Sequence, residues 1–422
     1  MTVVTAGLRN PSRSTLAWLV LGGVAWAALA VLGVRMYTSN DPPSAGFDLE
    51  LLLLGGRRVA EGFSPYEPGM LRGESVEIQS LFYSYPPPVA QLTSVIAAVP
   101  SWIVMIVWIV AAAIAAVAVA ALLERRITGR AAATLALPVA ALLPLWFPYA
   151  IAILFGNLDA WFAALFGILL LVVIAGDRRA IERRDVVAAG IALAIVALTK
   201  VHPASLGLWF VVRGLRTRSA GTGGTGITLP PEWRIVGVAA TTGLLIFGAS
   251  LVVGGLGPWQ DYVAVLRAGT NADLLDGRNL GPAVQIALLA NLGPEAVRIL
   301  QVGVTAVAVV ATAAVAWRLR DPVESLAWAS VASFVVLPVS WYHYPAALVP
   351  FAVAAVARAR LAGGDVERKT QALVVAALVI GLIGIGLPIM WLAVLVLLLA
   401  VRASGATNGR VEAPTSGHPV PA

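Results

Sequence analysis

Apolar runs of roughly 17 to 23 residues recur along the whole of this 422-residue chain, and that recurrence decides its class. Crossing a bilayer takes about 20 apolar residues of helix, because no backbone N–H or C=O can be left without a partner in hydrocarbon. The alternating segments of about ten residues that mark an outer-membrane barrel are missing. The chain is read as an all-α polytopic membrane protein. A content of 59% hydrophobic and 12% charged residues with a mean hydropathy of +0.87 describes no soluble globule. With no cysteine there is no disulfide, thiolate nucleophile or sulfur metal site, and three histidines are too few for a histidine-rich one. The net charge of +7 points to nucleic acid only until the basic residues are sorted into loops, where the positive-inside rule accounts for them. No nucleic acid partner is expected; the lipid bilayer is.

That sorting predicts the topology. The first span, about 14–36, follows Arg9 and Arg13 and lacks a small-residue cleavage site, so it stays uncleaved with the N-terminus cytoplasmic. About twelve transmembrane helices follow the pattern: 14–36, 101–123, 131–153, 160–176, 186–199, 200–212, 235–255, 296–317, 322–338, 345–357, 371–387 and 388–401. Alternation then places most of the 29 lysines and arginines inside, including Arg125, Arg183, Arg213, Arg318, Arg358 and Arg402. The stretch 186–212 reads as two short arms with TKVH at the tip, because a single crossing would put the following arginines outside. The segment 86–99 is too short to cross and reads as an interfacial helix. Residues 1–402 thus form one transmembrane catalytic domain, with a first extracytoplasmic loop over 37–100 and a flexible cytoplasmic connector over 213–234. A disordered cytoplasmic tail covers 403–422. No internal repeat stands out.

With the topology set, the polar outliers gather on the extracytoplasmic side. They are Asp48, Glu50, Arg57, Arg58 and Tyr66, then Tyr83 and Tyr85, Asn157 and Asp159, Lys200 and His202, Asn271, Arg278 and Asn279, and His343. Charges at membrane depth cost about 2.5–3.5 kcal/mol each on insertion scales, so each needs a partner or a wet cavity. Bland roles compete. Arg57 and Arg58 suit lipid headgroups, Asp159, next to Asn157, suits the cap of a helix starting at Ala160, and Tyr83, Tyr85, Trp341, Tyr342 and Tyr344 suit an aromatic belt. Lys200 and His202, bracketed by apolar helix, are harder to explain that way.

Taken in order, a first-loop aspartate, Gly62 to Tyr66 (GFSPY), Tyr85 to Pro87 (YPP), Gly156 to Ala160 (GNLDA), the lysine of TKVHP and Ser340 to Tyr344 (SWYHY) form a series. The series resembles glycosyltransferase family 87, of the membrane-embedded C-type glycosyltransferases, over about residues 15 to 400. The resemblance implies a C-type fold with extracytoplasmic loop helices and a polyprenyl-phosphate sugar donor. It also implies a glycolipid acceptor and, as in the mannosyltransferases of phosphatidylinositol mannoside synthesis, transfer of mannose. It assigns the catalytic base to Asp48, with Asp41 the competing position.

The residue types suit that chemistry. A carboxylate takes the proton as a hydroxyl attacks the anomeric carbon, and cations hold the departing phosphate. Asp48 is expected in the first role with His343 beside it; Lys200, His202 and Arg57 or Arg58 are expected in the second. Glu50, Tyr66, Tyr85, Asn157, Asp159, Asn279, Trp341 and Tyr344 are expected around the substrate. No Asp-x-Asp occurs, so no metal and no cofactor is expected. An arabinofuranosyltransferase of the same fold remains an alternative. A transporter or flippase predicts charges near the midplane in paired halves, and a scaffolding protein leaves the one-sided outliers unexplained.

Overall fold

The computed structural model describes residues 12–39, 44–73, 83–176, 181–219, 229–269, 276–384 and 389–405. It is 80% helical and has no strand among the described residues, so the chain is an all-α membrane protein. Among the described residues, five helices are long and apolar enough to cross a bilayer. Four are α1 (Arg13–Thr38), α4 (Ser101–Thr128), α10 (Pro231–Gly254) and α13 (Pro294–Arg318); the fifth is Tyr344–Ala362, whose α-helical part is α15 (Val349–Ala362). Between α1 and α4 lie two short helices, α2 (Phe47–Ala60) and α3 (Pro87–Ser94), the latter within the segment expected to be interfacial.

The span expected over 131–153 is not continuous. Helix α5 (Ala136–Leu142) passes through a 3-10 turn into α6 (Phe147–Phe155), and the pair is bent by 73°. Pro144 and Pro148 stand in the break, where each removes a backbone donor and crowds the preceding turn. Downstream come α7 (Asp159–Gly176), α8 (Arg183–Thr199), α9 (Leu206–Ser219), α11 (Gly257–Gly269), α12 (Pro282–Leu289), α14 (Pro322–Ser333), α16 (Gly364–Ile383) and α17 (Met390–Gly405). The stretch 186–212 breaks at Lys200 and makes a 3-10 turn over His202–Ser205; α8 and α9 both pack on α10. Of the expected connector over 213–234, residues 213–219 belong to α9 and 231–234 to α10, while 220–228 lie outside the described residues. Likewise α17 continues to Gly405, and the tail beyond it lies outside them.

Helix α7 forms the centre, packed against α4, α8, α14 and α15. Its Phe162, Phe166, Leu169 and Leu170 are buried in the main core. Lipid tails are as apolar as leucine, so close approach of backbones must supply the cohesion; Ala112 and Ala116 of α4 and Ala354, Ala355 and Ala357 of α15 are all fully or almost fully buried. Along α8 the two ends differ in kind. Arg183 and Arg184 open the helix, and Lys200 follows its last residue 17 residues on, about 26 Å away at 1.5 Å per residue.

Candidate active site

Four chain breaks bring the polar outliers together. Gly46 caps α2 in the left-handed region at φ 78°, and its N–H donates to the Leu154 carbonyl at 2.8 Å, which pins the start of α2 to the end of α6. Asp48 is the second residue of α2, where the helix dipole favours a carboxylate. Helix α6 ends at Gly156, φ 68°, and a Cβ there would lie 2.6 Å from that of Leu49. Only glycine meets both demands. The next residue, Asn157, accepts the Asp159 backbone N–H on Oδ1 at 2.9 Å, so the asparagine is the cap of α7 and Asp159 is left for other contacts.

Those contacts form one network. The Asn157 amide donates to Asp48 Oδ2 at 2.6 Å and lies 3.4 Å from His343 Nε2. Lys200 Nζ donates to Asn157 Oδ1 at 3.2 Å and to Asp159 Oδ2 at 3.0 Å. His343 Nδ1 lies 2.6 Å from the same oxygen, Asp159 Oδ2. Because a carboxylate only accepts, Nδ1 carries the proton, and in the neutral ring Nε2 is then an acceptor turned toward Asn157. Lys200 also sits 4.7 Å over the Tyr344 ring, on which the buried His202 stacks at 4.5 Å. Neither ring nitrogen of His202 has a hydrogen-bond partner. Burial pushes the Asp48 carboxyl above its ordinary range, against the opposing pull of His343, the Asn157 hydrogen bond and Lys200.

Asp48, Asn157, Lys200, His202, His343, Tyr85, Trp341 and Tyr344 all line one cavity of about 350 Å³. Other expected site residues stand elsewhere. Glu50, two residues on from Asp48, is carried to another side of α2 and lines a different groove. Arg57 pairs with Glu50 at 3.5 Å, while Arg58 donates to the carbonyls of Ser64 at 2.9 Å and Tyr66 at 3.3 Å. Neither of the two arginines expected at the phosphate is among the residues lining the cavity. Tyr66 is in the wall behind it, its hydroxyl donating to the Tyr85 carbonyl at 2.7 Å. Asn279 staples a loop: its Oδ1 accepts from Gly281 and Ser340, each at 2.9 Å, and its amide donates to Pro338 at 3.0 Å. Asp159 lies beneath the cavity, fully buried, and organises it. Asp41 and Asn271 fall outside the described residues.

The cation that does line the cavity with Lys200 is Arg278, held by Asp276 through contacts of 3.0 and 2.6 Å. Those hydrogen bonds keep the Asp276 carboxyl below its usual range. Arg278 was visible as a polar outlier; the path of its loop was not.

The sequence profile of glycosyltransferase family 87 matches residues 83–340, more than half of the chain. The chain belongs to glycosyltransferase family 87. The resemblance carried by the ordered motifs is therefore confirmed, and with its apolar helices the protein is a multi-pass membrane glycosyltransferase. The family 87 match takes in Tyr85, Asn157, Asp159, Lys200, His202, Arg278 and Asn279, and leaves Asp48 and His343 on either side of it. No curated protein matches the chain.

Proposed function

We propose that this family 87 glycosyltransferase moves mannose from a polyprenyl-phosphate donor to a hydroxyl of a lipid-linked acceptor on the extracytoplasmic side of the plasma membrane, with inversion and with Asp48 as general base. What carries the reading is that one cavity is lined by a buried carboxylate, Asp48, and by two cations, Lys200 and Arg278. The acceptor oxygen forms its bond to the anomeric carbon as its proton passes to Asp48. The bond from that carbon to the phosphate oxygen breaks, and the polyprenyl phosphate leaves with the electron pair. A base so placed contributes about 10²- to 10⁴-fold. Lys200 and Arg278 meet the negative charge that builds on the leaving oxygen, an interaction strengthened in a site shielded from water. His202 lines the same cavity and is available to the same phosphate. His343, held by Asp159 through Nδ1 and lining the cavity with Asp48, orients the attacking hydroxyl. One displacement at a β-linked phosphoryl sugar yields an α-glycoside. The position of Arg183 and Arg184 at the opposite end of α8 supports an extracytoplasmic site.

The test is transfer of radiolabelled mannose from polyprenyl-phosphate-mannose into the lipid fraction by membranes carrying wild type or Asp48→Asn at matched expression. Transfer by the wild type and its loss in the variant are expected. Equal transfer by both removes Asp48 as the base. No transfer by either, with transfer from polyprenyl-phosphate-arabinose, replaces mannose by arabinose.

A further inference from the structure

On the far side of the first turn of α2 lies a second, larger space, a groove of about 640 Å³ between the second half of α1, the start of α4 and the end of α6. Its walls are apolar, with Trp26, Val34, Trp102, Met105 and Ile153 among them. The turn acts as a partition. Asp48 and Leu51, three residues apart, face the first cavity; Gly46 and Glu50, four apart, face the groove; Phe47 belongs to both walls and lies against Phe155 at 4.2 Å between ring centroids. The two spaces also differ in charge. Lys200 and Arg278 line the first, whereas the charged side chain lining the groove is an acid, Glu50. Arg57 pairs with Glu50 at 3.5 Å and does not itself line the groove.

An occupant with an anionic head is disfavoured beside Glu50, and a neutral head rich in hydroxyls is favoured, because carboxylates accept hydrogen bonds from them. The geometry points to this groove as the seat of the acceptor's apolar tail, with Glu50 receiving hydroxyls of its sugar head and Phe47 the edge over which the reacting hydroxyl reaches Asp48. The inference rests on the transferase reading above and divides that site: the donor's phosphate on the Lys200 side of α2, the acceptor lipid on the Glu50 side.

Two measurements on the full-length protein in lipid nanodiscs test it. The first uses a long-chain alkyl α-mannoside with a diazirine in its chain and maps the labelled residues, without needing turnover. Labelling is expected at Trp102 and Met105, competed by unlabelled alkyl mannoside and not by polyprenyl phosphate. Competition by polyprenyl phosphate would give the groove to the donor's tail, and equal labelling of the exposed Val302 and Val310 on α13 would make it ordinary bilayer contact; either overturns the inference. The second fills the groove with Ala30→Trp, at an exposed position of α1. The KM for the alkyl mannoside rises about tenfold, the loss expected for roughly two buried methylenes, while the KM for polyprenyl-phosphate-mannose stays within about twofold. A rise in donor KM instead overturns the assignment. Absence of all transfer would count against the donor proposed above and leave the labelling result to decide the groove.

Discussion

The two ends of α8 treat charge in opposite ways. At the Arg183 end the pairs grade from open to half-buried: Arg184 to Glu182 at 2.7 Å has side chains 76% and 42% exposed, Arg126 to Asp185 at 3.5 Å is largely covered, and other helix ends carry Arg368 to Asp365 and Arg402 to Glu324. Even the more deeply placed Arg358 to Asp321 pair links only the ends of α15 and α14 and touches no part of the Asp48 cavity. At the Lys200 end the charges are inside the protein, with Asp159 fully covered and Lys200 11% exposed. Exposed pairs contribute about 0–1 kcal/mol and cost little to keep. Buried charges are expensive and persist where paired and useful. The comparison teaches that the basic end is placed by topology and the other end by chemistry.

The comparison breaks first, and most widely, at Asp48. Asp48→Asn keeps the shape and the Asn157 contact but removes the base, so kcat falls about 10²- to 10⁴-fold with the melting temperature in detergent little changed. A residual rate near wild type would place the chemistry elsewhere in the network. Next comes Lys200→Met, which leaves Asp159 with only His343; a destabilisation of about 3–5 kcal/mol is expected from thermal unfolding, together with loss of transfer. The matching change at the other end, Arg184→Ala, is expected to stay within about 0.5 kcal/mol. Comparable losses from the two would dissolve the distinction between the ends.

A finer test uses pH. As the proposed base Asp48 works as the carboxylate, and burial raises its pKa, so activity is expected to climb with pH along an acid limb lying above the ordinary aspartate value of about 3.9. The Asn157 hydrogen bond favours the ionised form, so Asn157→Ala moves the limb further up. A downward move would mean that the limb belongs to another group. The smallest expected effect is that of Arg368→Ala in an exposed pair on α16, which should leave both transfer and melting unchanged.

Helix content and membrane character were legible because apolar runs of that length have few other fates. The order of Asn157, Asp159, Lys200, His202 and His343 was legible as chemistry because each breaks an apolar context. The bend between α5 and α6 was signalled by Pro144 and Pro148, and hydropathy averaged over the stretch hid it. Helical periodicity alone separates Glu50 from Asp48, once α2 is known to start at Phe47. Arg278, by contrast, reaches the cavity from a loop, and Tyr66 and Asn279 turn inward to satisfy backbone groups. Loop paths and hydrogen-bond destinations are set by tertiary contacts that spacing in a single chain does not encode.

Gly156 joins these threads. The position has room for a hydrogen atom and none for a methyl group, because Leu49, the residue after Asp48, stands directly opposite. The proposed proton acceptor and the residue that holds it therefore come from α2 and from the turn after α6, and the separation of the two is gauged by a missing side chain. Enlarging it would leave every polar group of the site intact and still lengthen the reach from Asn157 to Asp48, so the precision of the site is kept by the least chemical residue in it.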